Sequence, residues 1–228
     1  MNRNDRYTEV YDNPAPRCPV VLMLDTSGSM TGVPISELKK GLAQFLKETA
    51  EDEAASQSVE ICVITYGETA GIAMPFCNIA EVDQEPPELI ANGMTPLGWA
   101  LKLGLEEIKA RRMFYKKLGI SSYKPWLVLM TDGKPNDDWQ ISAKEARSMA
   151  ESNQLTFLGI GIGPEVDMTI LKQILPEKQP PMQLRGLQFK PFFKWLTDSL
   201  RSVTSGTISN EDKLKYAPVS SFADLINK

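Results

Sequence analysis

Asp25, Ser27 and Ser29 stand at alternate positions in the stretch DTSGS, residues 25–29. One carboxylate and two hydroxyls so close together, on a loop that Gly28 lets fold tightly, suit a hard divalent cation. The same residues also suit a plain turn, because Asp and Ser accept local hydrogen bonds and cap helices. Two further stretches favour the metal. Thr95 lies in GMTPLG, residues 93–98, and Asp132 opens DGKPNDD, residues 132–138. Thr95 could also cap a helix starting near Leu97, and Asp132 could cap a turn with Gly133.

The elements around these loops place them at one edge. Residues 19–24, PVVLML, are apolar throughout, as a strand covered on both faces is, and they end at Asp25. Residues 125–131, PWLVLMT, repeat that pattern and end at Asp132. Residues 58–66 and 155–162 read as further central strands, and 72–77 as an edge strand that can tolerate Pro75. Apolar residues at helical spacing predict helices over 35–51, 97–117, 140–152 and 192–202, with a short one near 168–175. Residues 182–189 could add a last strand. Residues 80–92 read as an acidic, Pro-rich surface connection. The alternation predicts a doubly wound α/β fold: a mostly parallel central sheet, helices on both faces and one antiparallel edge strand. Such folds bind ligands beyond the carboxyl ends of their strands. Asp25 and Asp132 are both expected there.

Composition narrows the chemistry. The 228 residues are 42% apolar and 24% charged, which fits one large domain with a sizeable core. A net charge of −4 with interspersed signs gives no footprint for nucleic acid. The basic groups at 109–112 and 116–117 read as a solvated helix end. The chain has no histidine, which removes Ser-His-Asp and Cys-His catalysis and most zinc sites. Cys18, Cys62 and Cys77 have no metal-ligand spacing and suggest a reducing compartment. No export signal or membrane span is recognisable. Glycines 159, 161 and 163 lack the dinucleotide-binding spacing and begin inside a strand, so they read as close-packing positions. Trp99, Trp126 and Trp195 read as packing residues.

The three loops together resemble the von Willebrand factor type A domain and its metal-ion-dependent adhesion site, over roughly residues 17–205. Residues 1–16 are then an N-terminal lead-in and 206–228 a C-terminal tail. The resemblance implies that Ser27, Ser29 and Thr95 are direct hydroxyl ligands. It implies that Asp25 and Asp132 act mainly through bound water or hydrogen bonds. The implied ion is magnesium, with manganese or calcium as substitutes. The stretches VLMLDTSGSM, GMTPLG and LMTDGKPND resemble bacterial TerY-like proteins linked to tellurite resistance and stress. That likeness implies a cytoplasmic adaptor that meets Ter proteins or a protein kinase and phosphatase.

A cation held mostly by neutral hydroxyls stays electron-poor and favours an acidic group from a protein partner. One ion–carboxylate contact cannot select that partner, so Met30, Met94, Lys134 and Trp139 are the expected recognition rim. The competing reading is a metal-dependent phosphatase or phosphotransferase. Haloacid-dehalogenase-type enzymes need a second Asp two residues after the first, and Ser27 stands there. A non-enzymatic interaction module is therefore expected.

Overall fold

The structure, a computed structural model, describes residues 13–82, 86–206 and 219–226. Seven strands form one sheet in the order β3-β2-β1-β4-β5-β6-β7. They are β1 (Cys18–Asp25), β2 (Val59–Tyr66), β3 (Ala70–Asn78), β4 (Trp126–Thr131), β5 (Thr156–Gly161), β6 (Met182–Leu184) and β7 (Ala223–Leu225). The pairs β1–β2, β1–β4, β4–β5 and β5–β6 are parallel. The β3 edge is antiparallel, and its register slips twice against β2 on the side that carries Pro75. A second antiparallel pair, β6–β7, closes the other edge.

The helices are α1 (Val33–Glu51), α2 (Glu53–Ser58), α3 (Leu97–Leu118), α4 (Gln140–Glu151), α5 (Met168–Ile174) and α6 (Phe189–Thr204). Because strand side chains alternate, β1 feeds two cores. Val20, Leu22 and Leu24 face α1 and α6, whereas Val21 and Met23 face α3, α4 and α5. The sheet is thus covered on both faces, and all eight residues of β1 are buried. Gly159 and Gly161 lie against Leu175 and Met168, where a Cβ would collide, so they are packing positions as expected.

Several boundaries differ from the expected ones. The strand expected over 182–189 ends at Leu184, and α6 begins at Phe189. Phe189, Phe192, Phe193 and Leu196 form one buried stripe, and Pro191 falls in the first turn, where its missing N–H costs no helical bond. A short helix, α2, precedes β2, with the Asp52 side chain accepting from the Ala55 N–H at 2.9 Å. Residues 207–218 of the expected tail, and residues 1–12 of the lead-in, lie outside the described residues. Residues 219–226 pack on the sheet through β7 and Phe222.

Arg111 corrects the reading of 109–112 as a solvated helix end. Its Nε donates to Glu60 Oε2 at 2.5 Å, and the Tyr115 hydroxyl donates to the same oxygen. Glu60 is buried on β2 and also faces Arg17 at 3.4 Å.

Candidate metal centre

β1 and β4 are neighbours, but the chain leaves them toward opposite faces of the sheet. α1, which follows β1, packs on one face, and α4, which follows β4, on the other. Such a divergence opens a crevice beyond the strand ends. Asp25 closes β1 at this crevice and Asp132 follows β4 there.

Asp25 is fully buried, and protein donors take both its oxygens. Oδ1 accepts from the Ser27 N–H at 2.9 Å. Oδ2 accepts from Thr131 Oγ1 at 2.7 Å and, at 3.4 Å, from the Asp132 N–H. Burial pushes its carboxyl up to about 6; the Ser27 hydrogen bonds oppose the rise, the Asp132 charge adds to it, and the Thr131 bond opposes it. Asp25 therefore acts as a brace between the two loops.

The oxygens of the other residues converge above it. A single 3-10 turn, Gly28–Met30, brings Ser27 Oγ to 3.0 Å from Ser29 Oγ. Both hydroxyls donate to Asp132 Oδ1, at 3.3 and 3.0 Å. The third loop is tied in through its backbone. The Gly28 N–H donates to the Gly93 carbonyl at 3.0 Å, and the Asn136 N–H to the Thr95 carbonyl at 3.1 Å. Gly93 has φ +69°, and a side chain there would strike the Glu68 backbone. A methyl group on Gly133 would stand 3.2 Å from Thr95 Oγ1, which puts that hydroxyl against the Asp132 loop.

Thr95 does not cap α3. That helix has Pro96 at its N-cap, and the Asp137 carboxylate caps it from the β4 loop, accepting from the Gly98 and Trp99 N–H groups at 2.8 Å each. Gly98 permits this approach: a Cβ there would lie 2.5 Å from the Asp138 carbonyl oxygen.

The donor set fits a hard divalent cation. It offers three hydroxyls and two carboxylates, one of them already committed to protein donors. Among the described residues no group of three or more His, Cys, Asp or Glu side chains is placed to hold a metal, so no softer site competes.

The rim is not the one the sequence suggests. Met30 is fully buried, because the 3-10 turn directs it into the α1–α6 core, and it offers a partner nothing. Trp139 is half-buried and packs against the α3–α4 core. Lys134 is exposed but pairs with Asp167 at 3.7 Å. Met94 is exposed, as expected. Trp126 and Trp195 are buried, but Trp99, expected to pack, is 59% exposed. Its spacing carried that signal: it stands two residues from both Leu97 and Leu101 and so falls on the opposite face of α3. Thr131 and Asp137 were the other residues missed.

The von Willebrand factor type A domain signature matches residues 20–185. No curated protein matches the chain by sequence. Among solved structures, a von Willebrand factor type A protein from Catenulispora acidiphila superposes with TM-score 0.61 at 18% identity, over 82% of this chain and 43% of that one. Proximal thread matrix protein 1 from the mussel byssus gives TM-score 0.56 at 20% identity, over 82% and 49%. The same mussel protein with a zinc-occupied metal-ion-dependent adhesion motif gives 0.55 at 20% identity, over 82% and 48%. The chain spans about half the length of these structures or less. No helix among the described residues is long and apolar enough to cross a membrane. Signature, sheet order and helix layers agree: the chain belongs to the von Willebrand factor type A domain family.

Proposed function

We propose that this chain is a non-enzymatic, metal-dependent protein-interaction module. The observation that carries the reading is the convergence of Ser27 Oγ, Ser29 Oγ and Asp132 Oδ1 within 3.0–3.3 Å of one another at the crevice beyond β1 and β4. Ser27, Ser29 and Thr95 would hold the ion directly. Asp25 and Asp132 would orient the loops and any bound water. Magnesium is the proposed ion, with manganese or calcium as substitutes, since all three favour oxygen. Mostly neutral ligands leave the ion net positive, and it would supply a docking point for an Asp or Glu side chain of a protein partner.

The resemblance to TerY-like proteins places this module in a bacterial tellurite-resistance or stress system. There it would act in the cytoplasm as an adaptor for Ter proteins or a kinase–phosphatase pair. A phosphatase reading lacks a general acid: Ser27 occupies the required position and Lys134 is paired with Asp167.

The test is thermal unfolding with and without magnesium or manganese. Binding to the folded state should raise Tm by linkage. The double variant Asp25→Ala, Ser27→Ala should fold and lose this response. A metal-dependent shift that survives in that variant would remove these residues from the site.

A further inference from the structure

Exposed apolar side chains gather at the edge that carries the candidate metal centre. Val33, Trp99 and Ile141 lie in the first turns of α1, α3 and α4, all of which begin at that edge. Met94 adjoins Thr95 and is 64% exposed. Single exposed apolar residues are ordinary, but several around one site mark an interaction surface.

Met94 and Trp99 are also held in place. Asn136 Nδ2 lies 3.7 Å from Met94 Sδ. The Trp99 N–H is fixed by Asp137, and the Lys102 ammonium sits 5.4 Å from the centre of the Trp99 ring. A rigid aromatic loses little freedom on binding, which is what an interface anchor needs.

Charge indicates what could cover this surface. Asp25 and Asp137 have both oxygens engaged by protein donors, and Asp132 Oδ1 faces Ser27 and Ser29. Asp138 is the exposed carboxylate of the β4 loop, and Lys102 is the cation against Trp99. With a divalent cation on the hydroxyl oxygens, the surface from Thr95 to Lys102 is positive beside an apolar pair.

Building on the metal-dependent reading above, we infer that the partner is a protein segment in which an acidic side chain neighbours a large apolar one. The carboxylate meets the cation. The apolar side chain packs on Met94 and Trp99, with Lys102 flanking. Trp99 is then the residue that selects among acidic segments.

The probe is a phage-displayed library of random peptides, selected on the full chain in magnesium. Selected peptides are then titrated by calorimetry against wild type, Trp99→Ala, Trp99→Leu and Asp25→Ala, with and without EDTA. The selected peptides should share an acidic residue beside an apolar one. Trp99→Ala should weaken binding by about tenfold, the scale of one anchor residue, and Trp99→Leu by less. Both should keep the magnesium-induced rise in Tm, whereas EDTA or Asp25→Ala should abolish binding. Acidic peptides without apolar preference, or undiminished binding to Trp99→Ala, would overturn the inference and leave the metal reading standing. A magnesium shift with no metal-dependent capture would do the same. No magnesium shift, with capture unchanged in EDTA, would overturn both.

Discussion

Thr131 Oγ1 donates to Asp25 Oδ2 at 2.7 Å, joining the last residues of two adjacent parallel strands. The bond satisfies a buried carboxylate and sets the spacing of the two loops that follow. Thr131→Val preserves shape and strand preference but leaves Oδ2 with only the long Asp132 N–H contact. Loss of a partner to a buried polar group costs about 1–3 kcal/mol. We expect that loss in urea denaturation, with Thr131→Ser restoring most of it. An unchanged midpoint for Thr131→Val would mean the bond contributes nothing net.

The Asp137 cap gives a second prediction. Its carboxylate satisfies two N–H groups in the first turn of α3 and favours the positive end of the helix. Asp137→Ala should cost about 0.5–2 kcal/mol, and Asp137→Asn less. Gly98→Ala should also destabilise, because its methyl would meet the Asp138 carbonyl. Chemical denaturation of the three variants tests this; a neutral Gly98→Ala would show that the β4 loop yields easily.

The central strands were legible because burial on both faces leaves a continuous apolar run, as in β1 and β4. The centre was legible because its oxygen-bearing residues directly follow such runs. What stayed hidden depends on contacts between distant segments. Asp137 lies 39 residues from the Gly98 N–H it caps, so no local spacing reveals the pair. Glu60 looks like a solvent-facing position in a strand until Arg17 and Arg111 close over it. Met30 carried no signal for burial, since only the turn geometry decides which way it points.

The thiols give a third prediction. Cys18 and Cys62 are buried, and burial is the main cause that pushes both up to about 12. Thiolate is the reactive form, so neither should react with a thiol reagent at pH 8 faster than the chain unfolds. Half-buried Cys77 should react first. The linkage has a sign. Above about pH 8.5 the unfolded chain loses these protons while the folded chain keeps them. Stability should therefore fall as pH rises from there toward 12. Fast titration of all three thiols in the folded protein would contradict the burial.

The last prediction concerns Glu60, whose carboxylate faces two guanidinium groups and a phenol inside the protein. Arg111 and Tyr115 reach it from α3, and Arg17 from the segment entering β1. The Arg17 side chain also donates to the carbonyls of Gln57 at 2.9 Å, Asn13 at 3.1 Å and Ala15 at 3.2 Å. Glu60→Gln preserves size but removes the one charge that compensates both arginines. Removing one partner of a buried ion pair costs about 3–5 kcal/mol, because the other charge stays desolvated. Arg17 keeps its carbonyl partners, so more of the penalty should fall on Arg111. Replacing Arg111 by Met in the Glu60→Gln background should then recover part of the loss, a coupling that a double-mutant cycle measures directly. Because salt screens buried charges weakly, the Glu60→Gln deficit should persist at 1 M ionic strength, where the Debye length is about 3 Å. A deficit that disappears in high salt, or a cycle with no coupling between positions 60 and 111, would show that these charges act through solvent and not as one buried cluster.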